Sequence, residues 1–175
     1  MMQTVTQNTR PRRAFLVAGL AAMLAACAGP GGGRRDSAAP GGRSISVHPQ
    51  QRGDVVLTAL SLLESNYRYG GSHPHSGFDC SGLVAYVFNH SARQRLPHNT
   101  AQIAQLSRKI SKRQLKAGDF VFFNTLNRPY SHMGIYIGEG KFINAPSSGG
   151  RVRIDSLDNP YFAQRFESAR TLFSS

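Results

Sequence analysis

The chain has 175 residues, 21 of them basic and 9 acidic, a formal net charge of +12, no tryptophan and two cysteines. Such a balance suits an anionic partner, but there is no basic-aromatic strand motif of the kind nucleic-acid binders use, so nucleic acid is not expected. No Gly-x-Ser-x-Gly elbow or phosphate loop occurs, which leaves serine-hydrolase and nucleotide chemistry without support.

Residues 1–26 read as an export signal. Arg10, Arg12 and Arg13 form a basic head, and Ala14 to Ala26 is an alanine-rich apolar run. That run is short of the roughly 20 residues needed to span a bilayer. Leu24-Ala25-Ala26-Cys27 resembles a bacterial lipobox, so Cys27 is expected to carry lipid and tether the chain to a membrane. Arg12-Arg13-Ala14-Phe15-Leu16 resembles a twin-arginine signal without its usual Ser or Thr, which leaves the export route open. Ala28 and Gly29 follow Cys27, with no retention aspartate, so an outer-membrane anchor facing the periplasm is expected. Residues 27–50, rich in Gly, Pro, Ser and Arg, cannot bury enough apolar surface to order themselves and read as a tether. Much of the positive charge sits there.

Residues 51–175 form one domain of about 125 residues, a common domain size. Asp54 can cap a helix to about Ser65, with Val56, Ala59, Leu60 and Leu63 on one face. Tyr67 to Gly77 reads as loop, and a second helix runs from Cys80 to about Asn89. Asn99 or Thr100 can cap a third helix through Leu106. Strands are predicted at Phe120–Phe123, His132–Ile137, Lys141–Asn144, Arg151–Ile154 and Glu167–Leu172. Helices first and antiparallel strands after argue an α+β fold.

Cys80 lies where a glycine-rich loop enters an apolar helix, in Gly77-Phe78-Asp79-Cys80-Ser81-Gly82. If Cys27 is lipidated, Cys80 has no disulfide partner. A thiol at a helix N-terminus is a plausible nucleophile, because the helix dipole and a neighbouring imidazolium both favour thiolate. His132 and Asn144 are the candidate partners. A three-residue turn at 138–140 pairs Ile137 with Lys141 and Gly134 with Asn144. His132 and Asn144 are then diagonal neighbours on one face, and a one-residue slip would part them. The amide would orient the ring, although a neutral amide supports imidazolium less than a carboxylate does. The backbone N–H of Cys80 and the Tyr69 phenol are candidate oxyanion donors. His73-Pro74-His75 lacks a firm fourth ligand, so no metal and no cofactor is assigned.

Five segments occur in the order seen in NlpC/P60 cysteine peptidases. They are Tyr67-Arg68-Tyr69-Gly70-Gly71, Gly77–Leu83, Leu96-Pro97-His98-Asn99-Thr100-Ala101-Gln102, Leu115–Phe120 and His132–Gly138. The resemblance implies a papain-like α+β core that hydrolyses peptidoglycan stem peptides. It makes Cys80 the nucleophile, His132 the base, Asn144 the orienting residue (often histidine in the family) and Tyr69 an oxyanion contact. Asp79 and Ser81 would contact substrate, or simply cap the helix. The bond is either the γ-D-glutamyl–diaminopimelate amide or the D-alanyl–diaminopimelate cross-link. The absence of a second recognition domain favours the cross-link. A non-catalytic wall-binding protein and an acyltransferase on the same core are the other readings.

Overall fold

Phe120-Val121-Phe122-Phe123 is apolar at every position, and the strand it forms, β4 (Phe120–Phe123), is buried on both faces. Side chains alternate across a strand. Phe120 and Phe122 join the core beneath the helices, while Val121 and Phe123 join a second cluster with Phe142, Leu157 and Phe162. The computed structural model describes residues 45–148 and 150–175. The expected signal, the lipidation site Cys27 and the tether up to residue 44 lie outside the described residues.

The strands β3 (Arg108–Ile110), β4, β5 (His132–Gly138), β6 (Lys141–Asn144), β7 (Arg153–Ser156) and β8 (Phe166–Thr171) form one antiparallel sheet, in the order β3-β8-β4-β5-β6-β7. On one face lie α1 (Arg52–Leu60), α2 (Cys80–Ala92) and α3 (Thr100–Leu106), which bury Val55, Ala59, Leu83, Val84, Val87, Phe88 and Ile103 against it. The short α4 (Pro160–Ala163) places Phe162 on the other face. The α+β expectation holds.

Several boundaries move for identifiable reasons. Pro49 opens a 3-10 turn that leads straight into α1, so Asp54 sits in the helix's first turn instead of capping it. The buried stripe is Val55, Ala59 and Leu62, one register from the predicted face. Val47 is 3% exposed, bridges Phe173 and exchanges backbone hydrogen bonds with Leu172 and Ser174. The folded unit therefore begins inside the segment assigned to the tether. The predicted loop after Tyr67 contains a small hairpin, β1 (Ser72–His73) with β2 (Gly77–Phe78).

The β5–β6 turn also differs from the predicted one. Gly138 pairs with Lys141, leaving Glu139 and Gly140 as a two-residue turn, and Ile137 is bulged out. Beyond the bulge, Tyr136 pairs with Phe142 and Ile135 with Ile143, which keeps the predicted phase at the site.

Candidate active site

The start of α2 is built by Asp79. Its Oδ1 accepts the Gly82 N–H at 2.7 Å, closing the helix cap, and also the Ser81 hydroxyl at 3.0 Å. Nε2 of His98 meets the same oxygen at 2.7 Å, and Oδ2 accepts the Gly70 N–H at 3.0 Å. One carboxylate thus ties the helix start to two loops. Gly82 is obligatory here, since a Cβ would lie 2.0 Å from the Gly71 carbonyl oxygen. Asp79 and Ser81 line the cleft, but their polar atoms hold this scaffold together, and Ser81 is 6% exposed. The capping role expected for them is the one their contacts show.

Cys80 is a free thiol facing a cleft of about 350 Å³, which His132 also lines. Backbone N–H groups of Met133, which follows His132 on β5, and of Ser81 and Cys80 itself favour the thiolate form of Cys80. The helix-start amides of Cys80 and Ser81 are not used by the Asp79 cap, which makes them the natural donors to an oxyanion.

The sheet supplies the imidazole. His132 is 8% exposed and Asn144 fully buried, and Nε2 of His132 lies 2.9 Å from Oδ1 of Asn144. The predicted diagonal is therefore a direct hydrogen bond. Gly134 makes the room, because a Cβ there would sit 2.6 Å from the Phe142 ring and 3.2 Å from Cβ of Asn144. Phe123 and Phe162 flank the imidazole, with ring centroids 6.1 and 6.2 Å away. Asn144 Nδ2 in turn donates to Asp155 Oδ2 at 2.8 Å.

The charge states depart from expectation. Burial first, and then the Asp79 carboxylate, push the Cys80 thiol up to about 11, against the three backbone donors that favour thiolate. Burial pushes His132 below the usual histidine range, and Arg153 adds to this, while the Asn144 hydrogen bond and Asp155 push it up. These surroundings push the thiol and the imidazole towards their neutral forms, against the thiolate anticipated from the helix dipole. Desolvation outweighs the dipole here.

Tyr67 and Tyr69 both line the cleft, and Tyr67 is the less exposed of the two. Tyr67 is half-buried, and its proton affinity is raised by burial and then by Cys80 and Asp79. Tyr69 is 89% exposed. Gly71 N–H bonds Arg68 O at 2.9 Å and Gly70 has φ +69, so Tyr69 stands at the outer corner of a turn. Two loop residues not foreseen, Leu126 and Arg128, also line the cleft.

Comparison with known proteins fits this geometry. The pattern of the NlpC/P60 family matches residues 64–171. The chain belongs to the NlpC/P60 family. It is 40% identical over 111 residues to murein DD-endopeptidase MepH of Escherichia coli strain K12, covering 62% of this chain and 41% of that protein. It is 40% identical over 122 residues to a probable endopeptidase NlpC homolog of Haemophilus influenzae, covering 69% of this chain and 63% of that one. It is 38% identical over 132 residues to gamma-DL-glutamyl hydrolase of Bacillus subtilis strain 168, covering 74% and 32%. The chain thus spans less than two thirds of these relatives. Among solved structures, the NlpC/p60 domain of peptidoglycan hydrolase SagA superposes with a TM-score of 0.60 at 32% identity, covering 69% of this chain and 97% of that domain. The NlpC/P60 core here is the papain-like α+β arrangement.

Proposed function

We propose that this chain hydrolyses an amide bond in peptidoglycan stem peptides through an acyl-enzyme on Cys80. The observation that carries this reading is the 2.9 Å bond from His132 to a buried amide, in the cleft that holds an unpaired cysteine. Asn144 occupies Nε2, which leaves Nδ1 as the nitrogen free to act in the cleft.

In the proposed reaction the Cys80 sulfur attacks the amide carbon as its S–H proton passes to Nδ1 of His132. The carbonyl oxygen gains charge and is met by the N–H groups at the start of α2, with the Tyr67 phenol nearby. Collapse breaks the C–N bond, and the imidazolium gives its proton to the leaving amine. Water, deprotonated by His132, then hydrolyses the thioester and restores the thiol. Starting from a neutral pair, the nucleophile is made at the moment of attack. No cofactor enters.

The cleft is open enough for a peptide, and Arg128 on its rim has no carboxylate partner among the described residues. A cation there suits the free carboxylates of stem peptides. The relative named a DD-endopeptidase supports the D-alanyl–diaminopimelate cross-link as the bond cut. The relative named gamma-DL-glutamyl hydrolase supports a γ-glutamyl bond as the second reading. Cys27, once lipidated, would hold the domain at the outer membrane facing the wall.

Digestion of purified sacculi, with the muropeptides identified by mass, tests this. Cross-linked dimers should become monomers with intact tetrapeptides, and the Cys80→Ala protein should leave them untouched. Stems cut after D-glutamate would assign the γ-glutamyl bond. Products equal in the two proteins would overturn the peptidase reading.

A further inference from the structure

An asparagine cannot by itself decide which way its amide points, since oxygen and nitrogen have nearly the same shape. Here the strand next door decides. Nδ2 of Asn144 meets Asp155 Oδ2 at 2.8 Å and the Arg153 carbonyl oxygen at 3.4 Å. Both partners accept and neither donates, because Asp155 is ion-paired with Nε of Arg153 at 2.9 Å. A reversed amide would set oxygen against two oxygens. Oδ1 must therefore face His132, and Nε2 must carry the proton it receives. Nδ1 keeps its lone pair for the Cys80 thiol.

We propose that Asp155 is a positioning residue of the hydrolytic site, which fixes the proton of His132 on Nε2 through the Asn144 amide and sets negative charge behind the ring. This rests on the peptidase reading above. Asp155 never touches substrate or sulfur. Its side chain is 14% exposed, low enough for its charge to act across one amide. A neutral amide alone would support the imidazolium poorly as the thiol loses its proton, and Asp155 supplies the missing charge.

The charged groups acting on the imidazole are Asp155 and Arg153 from β7, Cys80 from α2 shares its cleft, and β4 and α4 present the apolar rings of Phe123 and Phe162. Asp155 favours the protonated ring and Arg153 opposes it. The Arg153 guanidinium also donates to Ser148 O at 2.9 Å. The two charges thus act on His132 with opposite sign, and each can be removed separately.

The test uses the full chain with ¹⁵N-labelled histidine, the His132 ring signals being assigned with His132→Gln. The wild-type ring should be the Nε2–H tautomer. Asp155→Ala should give a mixture of tautomers and a kcat about tenfold lower, with KM within about twofold. Asp155→Asn should move both the His132 titration and the acid limb of peptidoglycan hydrolysis to lower pH. Arg153→Gln should move them to higher pH. An unchanged tautomer in Asp155→Ala, or a titration that stays put in both charge variants, overturns the proposal. If Asp155→Ala does not fold, the Asp155→Asn titration decides by its direction. The ring signals need no turnover, so a chain that cuts no peptidoglycan would sink the peptidase reading and still leave this one decided.

Discussion

Two carboxylates, one lining the cleft and one behind its imidazole, do opposite things to the chemistry between them. Asp79, at the start of α2, holds the helix, the Gly70 turn and His98 together, and its charge pushes the adjacent thiol towards its neutral form. Asp155, one amide behind His132, pushes the imidazole towards its charged form. The same side chain opposes ionisation on one wall and favours it on the other. What differs is the sign of the group each faces. The helix wall is built for position at some cost in reactivity, and on the sheet wall Asp155 offsets part of the burial that disfavours the imidazolium.

The largest expected break falls on the sheet wall. Gly134→Ala inserts a methyl 2.6 Å from the Phe142 ring and 2.7 Å from the Ile143 carbonyl oxygen, so β5 and β6 must separate or Asn144 must leave. Overpacking of this kind costs about 1–3 kcal/mol. Hydrolysis should fall more than about a hundredfold, while Cys80 should still react with iodoacetamide, because the helix wall is untouched. Retained hydrolysis in a folded Gly134→Ala protein would show that the His132–Asn144 bond is dispensable.

Next in size is the phenol pair. Tyr67→Phe should lower kcat roughly tenfold to a hundredfold if its hydroxyl meets the oxyanion, and Tyr69→Phe, on an exposed ring, should change it less than about twofold. Measuring kcat and KM for both on one stem-peptide substrate separates them. A larger loss in Tyr69→Phe would mean that the outer turn closes over bound substrate.

How much of this was legible beforehand follows from the physics of each part. The three-residue set Cys80, His132 and Asn144 was readable because a thiol at a helix start and a period-two strand pattern are local signals. The register survived a wrong turn, since the bulge at Ile137 absorbs the missing residue before the phase reaches Tyr136. Tyr67 was missed because the segment reads as loop, where sequence does not tell which of Tyr67 and Tyr69 is left exposed by the turn at Gly70. Asp155 was missed because the strand around Arg151–Ile154 was predicted two residues early. The charge balance was missed for a different reason. Helix dipoles can be read from sequence, but desolvation is set by packing, and here it dominates the thiol.

The smallest effect is the most direct check on the opposition between the two carboxylates. Asp79→Asn keeps a good cap, since asparagine accepts the Gly82 N–H about as well. It turns the oxygen that serves Gly70 into a donor, which should cost about 1 kcal/mol of stability. The negative charge beside Cys80 disappears, so the thiol should ionise more readily and iodoacetamide should alkylate it about twofold faster at pH 8; the gain is modest because a thiolate of lower pKa is also a weaker nucleophile. The sign extends to folding. The Cys80 thiol is raised from 9.0 to about 11 in the native protein, so between those values the unfolded chain has lost a proton that the folded chain keeps. Native stability from this group is thus intact below pH 9 and drains away as pH climbs towards 11. Urea unfolding at a series of alkaline pH values should show that decline in the wild type and a shallower one in Asp79→Asn. A wild-type curve flat across this window would mean that the surroundings leave the thiol's ionisation unchanged, and the opposition between the two walls would fail.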